Sequence, residues 1–329
     1  MSSLCKKTTL AIAAVLWVAS AIAAPAMAAE NYPSKMIHVI VPYPPGGSTD
    51  SLGRQLAARL SEKLGQQAIV ENRSGGNNVI AANAVLSAAP DGHTFVINDL
   101  AMFAINPHLF SNLGYEPRKF STVSLPTSFS FVFLVSPQNP ANTLGEFLDN
   151  AKSGSKLLSY GSASIGNPTH LGMELLKSAT GLQINHTPYK GGGPALNDLM
   201  GNHIDAALMD IPGSIPYIQS GKLKALAVTS PDRHPRLPDV PTIAEEGWPD
   251  AQFTGWNGIA VRSDTPDDIK DRLNVIIREV VAEDAFNEWL QNMTVTPDGR
   301  LGTAQVEERV RLDAERLGGL VKELNLTID

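Results

Sequence analysis

The chain has 329 residues, of which 43% are hydrophobic and 18% charged. That balance excludes a disordered chain, and the length allows one large domain or two of about 150 residues each. The formal net charge of −7 argues against a general nucleic-acid binder, which needs a basic surface to displace counterions from phosphates.

The first 28 residues read as a secretory signal. Lys6 and Lys7 supply the positive start, residues 10–24 are an uncharged apolar run, and Ala26-Met27-Ala28 offers small residues for cleavage after Ala28. The run is shorter than the ~20 residues a membrane-spanning helix requires. Cleavage removes Lys6, Lys7 and the only cysteine, Cys5, but no acid, so 301 residues remain and the charge moves from −7 to −9. The exported protein is then acidic and free of disulfides.

Residues 36–41 (MIHVIV) are apolar and β-branched, as in a buried strand. A turn-rich loop follows over 42–50. Leu52, Leu56, Leu60 and Leu64 recur every fourth position with charged residues between them, which predicts an amphipathic helix stopped at Gly65. Strands are expected at 68–70 and 94–97, with a helix over 79–89 between them. This alternation is the signature of βαβ units and a parallel sheet.

The pattern recurs with strands at 131–135, 157–160, 184–187, 204–209 and 224–228, and helices at 144–152, 170–179 and 194–200. Thr143 and Glu146 form a capping box at the first of these helices. Residues 230–249 are a Pro-rich connection. A strand at 253–261 precedes a helix capped by Thr265, with Pro266 at its first position, and a last helix spans about 303–324. The elements fall into two βα clusters, about 31–125 and 130–250, with a helical tail packed back on the first. The expected fold is α/β with two lobes joined by two crossovers.

Three loops share one design: residues 43–50 (Tyr43, Pro44, Pro45, Gly46, Gly47 and Asp50 among them), residues 161–170 (with Ser162, Ala163, Ser164, Thr169 and His170) and residues 188–195 (with Tyr189, Lys190, Gly191 and Gly192). Each leaves the carboxyl end of a strand, where open α/β sheets bind ligands. Each is rich in Gly or Ser and ends at a helix N-terminus, where free N–H groups favour an anion. Together they predict a small anionic ligand held between lobes, largely by backbone. Each loop alone also reads as a tight βα turn.

Asp50 reads equally as a helix N-terminal charge or a ligand-facing group. Asp210 ends a strand and could meet a ligand or cap the helix near Pro212. Ser162 and Ser164 have no base nearby in sequence, and the seven histidines show no metal-binding spacing. GxGxxG after a strand, GxxxxGK[ST] and GxSxG are all missing.

At these loops the sequence resembles the Bug family, the periplasmic solute-binding proteins of tripartite tricarboxylate transporters. The matching stretches include Pro42-Tyr43-Pro44-Pro45-Gly46-Gly47 with Asp50 and Arg54, Val70-Glu71-Asn72-Arg73, Pro90-Asp91-Gly92-His93-Thr94, Tyr160-Gly161-Ser162 with His170-Leu171, Pro188-Tyr189-Lys190-Gly191, Gly221-Lys222-Leu223-Lys224-Ala225-Leu226, Leu237-Pro238-Asp239-Val240-Pro241-Thr242 and Trp256-Asn257-Gly258. They run in family order over most of the chain. Ser74-Gly75-Gly76-Asn77-Asn78 departs from the family's usual proline- and alanine-containing glycine stretch, and Asp210-Ile211-Pro212-Gly213 from its commoner Asp-Asn pair, which leaves Asp210 as a candidate.

The resemblance implies a periplasmic-binding-protein type II fold (a Venus flytrap). Lobe 1 would hold residues 29–127 and 252–329, and lobe 2 residues 128–251. It implies a periplasmic monomer without catalytic residues, cofactor, metal or nucleic-acid partner. Its ligand would be a small carboxylate (a di- or tricarboxylate, aromatic acid or amino acid), delivered to the membrane subunits of a tripartite tricarboxylate transporter. The site would comprise the residues named in the three loops together with Asp210. The alternatives are a periplasmic isomerase or hydrolase of a carboxylic acid on the same fold, or a ligand-presenting sensory protein.

Overall fold

A computed structural model describes residues 32–75, 78–154 and 157–328. The signal segment and its cleavage point lie outside the described residues.

The first sheet is built around β1 (Ile37–Val41), flanked in parallel by β2 (Ala68–Asn72) and β3 (Thr94–Asp99). Helix α1 (Ser48–Leu64) connects β1 to β2. Its Leu52, Leu56 and Leu60 are buried, as the fourfold spacing requires, and Gly65 closes it in the left-handed conformation. Helix α2 (Val79–Leu86) leads to β3, and a π-helical turn at Ala101–Ile105 runs into the short α3 (Asn106–Leu109).

The second sheet contains β5 (Leu158–Ser162), β6 (Ile184–Pro188) and β7 (Ala206–Asp210), again parallel. Helices α4 (Leu144–Ser153), α5 (Pro168–Thr180), α6 (Gly192–Met200) and α7 (Ile211–Gln219) connect its strands, and β8 (Lys224–Val228) lies at its side. Thr143 caps α4 by accepting from the Glu146 N–H at 3.1 Å, as the capping box predicts.

Two long strands make the architecture. β4 (Phe120–Val135) and β9 (Thr254–Arg262) run antiparallel, from Phe120 opposite Arg262 to Ser130 opposite Thr254. β9 also pairs antiparallel with β3. Beyond Ser130, β4 leaves β9 and enters the second sheet between β7 and β8. The sheets are therefore mixed rather than purely parallel, because the crossover strands run against the βα units on both sides. The sequence reading found only the last five residues of β4. Pro126 interrupts the run, and the ladder with β9 shifts register around it, which is how a strand tolerates a residue without an N–H.

The C-terminal segment also differs from expectation. Helix α8 (Asp267–Val281) begins at Pro266 without a side-chain cap, and the Thr265 hydroxyl is buried without a partner. Helix α9 (Asp284–Asn292), absent from the sequence reading, follows, and β10 (Thr296–Pro297) returns to pair with β4. Helix α10 (Thr303–Glu323) packs on the Ala101–Ile105 turn and on β4. Its Asp313 accepts the indole N–H of the buried Trp256 at 2.8 Å, and Arg316 donates to the carbonyls of Asp250 and Gln252. This ties α10 to the crossing point. The lobes meet where Gly166 stands so close to Leu109 that a Cβ there would lie 2.3 Å from its side chain.

Gly255 sits where β9 passes β4, and a Cβ on it would lie 2.3 Å from the Phe129 ring. Gly255→Ala is expected to lower stability by about 1–3 kcal/mol by forcing that ring aside. Adding Phe129→Leu should recover much of the loss in thermal unfolding. An unchanged melting temperature in the single variant would mean that the ring has room to move.

Candidate functional site

The loop between β1 and α1 is organised by one buried carboxylate. Asp50, 3% exposed, accepts from the Gly46 N–H at 2.9 Å, from Arg54 Nε at 3.0 Å and from Asn72 Nδ2 at 2.8 Å. Asn72 also donates to the Tyr43 carbonyl at 3.1 Å. The Arg54 hydrogen bond, ahead of the others, holds the Asp50 carboxyl down at about 2 against the burial that would raise it. Gly46, at φ +93°, adopts the left-handed backbone the turn requires. Asp50 thus faces its own loop.

What this arrangement leaves open is the start of α1. Its N-cap, Gly47, makes no side-chain cap hydrogen bond. Gly47, Ser48 and Thr49 line a cavity of about 580 Å³ together with Tyr43, Pro44 and Pro45. The N-terminal end of a 17-residue helix thus stands at the cavity wall.

Other elements complete the wall. Asp99, at the carboxyl end of β3, accepts from the Tyr43 hydroxyl and from the Met102 N–H. Burial pushes the Asp99 carboxyl above the usual carboxylate range and the Tyr43 phenol well above its own. Asp210 and Pro212 reach in from the second lobe, and Phe129 and Asn257 from the two crossover strands. Trp289, Met293 and Val295, in and after α9, form an apolar side. Asp210 is the N-cap of α7 and accepts from the Gly213 N–H at 3.0 Å, so the capping role foreseen for it is present at the cavity wall.

The two second-lobe loops face a neighbouring hollow of about 530 Å³. Ser164, Gly166, Asn167 and Tyr189 line it opposite Asn106, Leu109 and Phe110. The loops are fastened to each other, since the Tyr189 and Gly191 N–H groups donate to the carbonyls of Ser162 and Ala163 at 3.0 and 2.8 Å. Thr169 accepts from the Ala163 N–H at 2.9 Å, and His170 Nδ1 from the Gly166 N–H at 3.0 Å. Lys190 is exposed, and Gly191 and Gly192 form the start of α6. Lys190, Gly191 and Gly192 line neither hollow.

Beneath these loops lies a polar network that sequence spacing did not reveal. His170 and His186 stack at 3.9 Å, and Tyr160 donates to Glu174 at 2.6 Å. Lys177 bonds both Glu174 oxygens. His186 Nε2 lies 2.6 Å from the Ser162 hydroxyl, the base that sequence reading did not find. Ser162 is 0% exposed, so the pair orders the loop rather than presenting a nucleophile. Burial, followed by repulsion from His170, brings His186 down to about 4.

A sequence profile described as the tripartite tricarboxylate transporter family receptor, TctC, matches residues 52–326. The chain belongs to that family. Among relatives it is 34% identical over 290 residues to the protein BugT of Bordetella pertussis, covering 88% of this chain and 89% of BugT. Among solved structures it resembles a Rhodopseudomonas palustris protein with adipate (TM-score 0.75, 30% identity, 90% of this chain and 100% of that one). It also resembles MatC of the same organism with bound malate (TM-score 0.70, 29% identity, 88% and 100%). The two-lobed α/β fold is that of the TctC and Bug periplasmic binding proteins.

In this TctC-family receptor, the structure brings Tyr43, Pro44, Pro45, Gly47 and Asp210 to one cavity, and Ser164 and Tyr189 to the adjoining hollow. Sequence reasoning missed Asp99, although its place at the carboxyl end of β3 obeys the rule that singled out Asp210. Phe129, Trp289 and Met293 carried no signal, because the elements that hold them were not recognised.

Two outcomes follow from the buried charges. Asp50 titrates at about 2 when folded, so its contribution is present above pH ~4 and is lost as pH falls through about 2. Asp50→Asn should cost about 1–3 kcal/mol at pH 7, and thermal melts should show the gap to the native chain closing between pH ~4 and 2. His186 resists protonation down to about 4, whereas an unfolded histidine titrates near ~6.5. Stability should therefore fall as pH drops across that window. His186→Gln should reduce the fall in pH-dependent denaturant titrations, and an unaltered slope would count against the assignment.

Proposed function

We propose that this receptor is a periplasmic solute-binding protein that captures a small carboxylate between its two lobes and delivers it to the membrane subunits of a tripartite tricarboxylate transporter. Residues 1–28 act as its cleaved export signal. It works as a monomer, by binding rather than catalysis, and needs neither cofactor nor metal. Lobe 1 comprises residues 29–127 and 252–329, and lobe 2 residues 128–251.

The observation that carries this reading is the uncapped start of α1 at the cavity wall. Its N–H groups need acceptors, and a ligand carboxylate supplies two oxygens to them. Asp50 already takes the Gly46 N–H and holds the turn open. The relatives solved with adipate and with malate support a carboxylate as ligand class. Ser164 and Tyr189 would close on the ligand from lobe 2, on loops held in shape by Ser162, Ala163, Thr169, His170, Lys190, Gly191 and Gly192. Closure of this kind draws its energy from contacts made only in the closed state.

Gly47→Val tests the site directly. Gly47 has φ −81°, open to any residue, and its Cβ would meet nothing nearer than the Pro44 carbonyl oxygen at 4.0 Å. The variant should fold with stability within about 0.5 kcal/mol of the native chain while its side chain fills the anion position. A saturating carboxylate should stabilise the native chain by about 2–3 kcal/mol and leave Gly47→Val unshifted in thermal melts. A full shift in the variant would move the site elsewhere.

A further inference from the structure

We infer that the ligand is a monocarboxylate with an apolar alkyl or aryl body, and that Trp289 and Met293 set this preference. The inference rests on the carboxylate-receptor reading above and concerns the apolar side of the cavity formed by α9 and the residues after it.

Phe129, Trp289, Leu290, Met293 and Val295 line the cavity, and among the described residues lining it none is Lys, Arg or His. The charged groups that do line it, Asp99 and Asp210, are acidic. A second ligand carboxylate would leave water without a basic side chain to pair with in a cavity whose charged lining groups are acids, which is the costly way to bury a charge. An alkyl chain or aromatic ring there gains burial and ring contacts instead.

The wall is held in shape before any ligand arrives. The Trp289 indole stacks on the fully buried Phe286, with ring centroids 5.7 Å apart and planes 26° apart. Arg59, over the Phe286 ring, is paired with Glu283 at 2.7 Å and so is committed outside the cavity. Arg54 is likewise held by Asp50. Thr294, a β-branched residue at φ +58°, turns the chain between Met293 and Val295, and both neighbours line the cavity. Asn257 and Ser48 are polar without charge and accommodate a hydroxyl on the ligand body.

Hexanoate and adipate make a matched pair, with equal chain length and differing in the second carboxylate. Calorimetric titration of the signal-free chain at pH 7 should show hexanoate and phenylacetate binding at least about tenfold more tightly than adipate. Met293→Arg places a cation on the wall and should narrow or reverse that ratio. Trp289→Ala should weaken phenylacetate about tenfold or more, measured below the variant's own, lower melting temperature so that loss of binding is read on folded protein. Phenylacetate should also quench the native tryptophan fluorescence, and Trp289→Phe should remove that quench.

Adipate binding as tightly as hexanoate would overturn the inference and leave the carboxylate-receptor reading standing. Unaltered phenylacetate affinity in Trp289→Ala would overturn the role given to the wall. No binding of any of the three acids would overturn both readings. The Gly47→Val variant separates the two ideas, because it should lose every acid alike, whereas the wall variants change only the ranking.

Discussion

The antiparallel ladder between β4 and β9 is the constraint on which the rest of the molecule depends. It runs unbroken in direction from Phe120 and Arg262 to Ser130 and Thr254, and then β4 alone continues into the second sheet. One strand thus belongs to both lobes. The same crossing supplies Phe129 and Asn257 to the cavity wall. Helix α10 secures it through the Trp256–Asp313 hydrogen bond and the Arg316 contacts to the carbonyls before β9.

The proposed carboxylate site in an acidic protein would rely on backbone dipoles rather than on net positive charge. The side-chain charges near the cavity are spent internally. Arg54 is consumed in holding Asp50, and Asp50 in holding the loop. In the proposed site the N–H groups at the start of α1 would carry the attraction, and they demand no net positive charge. The two carboxyls in this region diverge in behaviour for a physical reason. Asp50 has three hydrogen-bond donors, the Arg54 guanidinium among them, and titrates low, while burial outweighs the hydrogen bonds to Asp99 and holds its carboxyl above the usual range.

Much of the fold was legible from residue patterning. The leucine stripe of α1, the β-branched run of β1 and the capping box of α4 each express a local rule, and each element stands close to where that rule places it. The elements that escaped detection obey no local rule. The first part of β4 is rich in Ser and Thr and broken by Pro126, and its burial comes from partners distant in sequence. Helix α9 is a nine-residue segment directly after α8, and no turn signal of Gly or Pro separates the two. The candidate site divides in the same way. Gly46, Gly47 and Asp50 belong to a contiguous motif, whereas Trp289 and Met293 reach the cavity from the far end of the chain.

The sequence by itself determined the alternation of strands and helices, the glycine-rich turns and the resemblance to the Bug receptors, because these depend on neighbours within a few residues. Only the tertiary structure decided which loops share a cavity. It set the β1–α1 loop beside Asp210 and gave the other two second-lobe loops a separate hollow. It also turned Asp50 inward and stacked His170 on His186 beneath Ser162. Such outcomes depend on which distant groups meet in a low-dielectric interior, and no periodicity along the chain encodes that meeting.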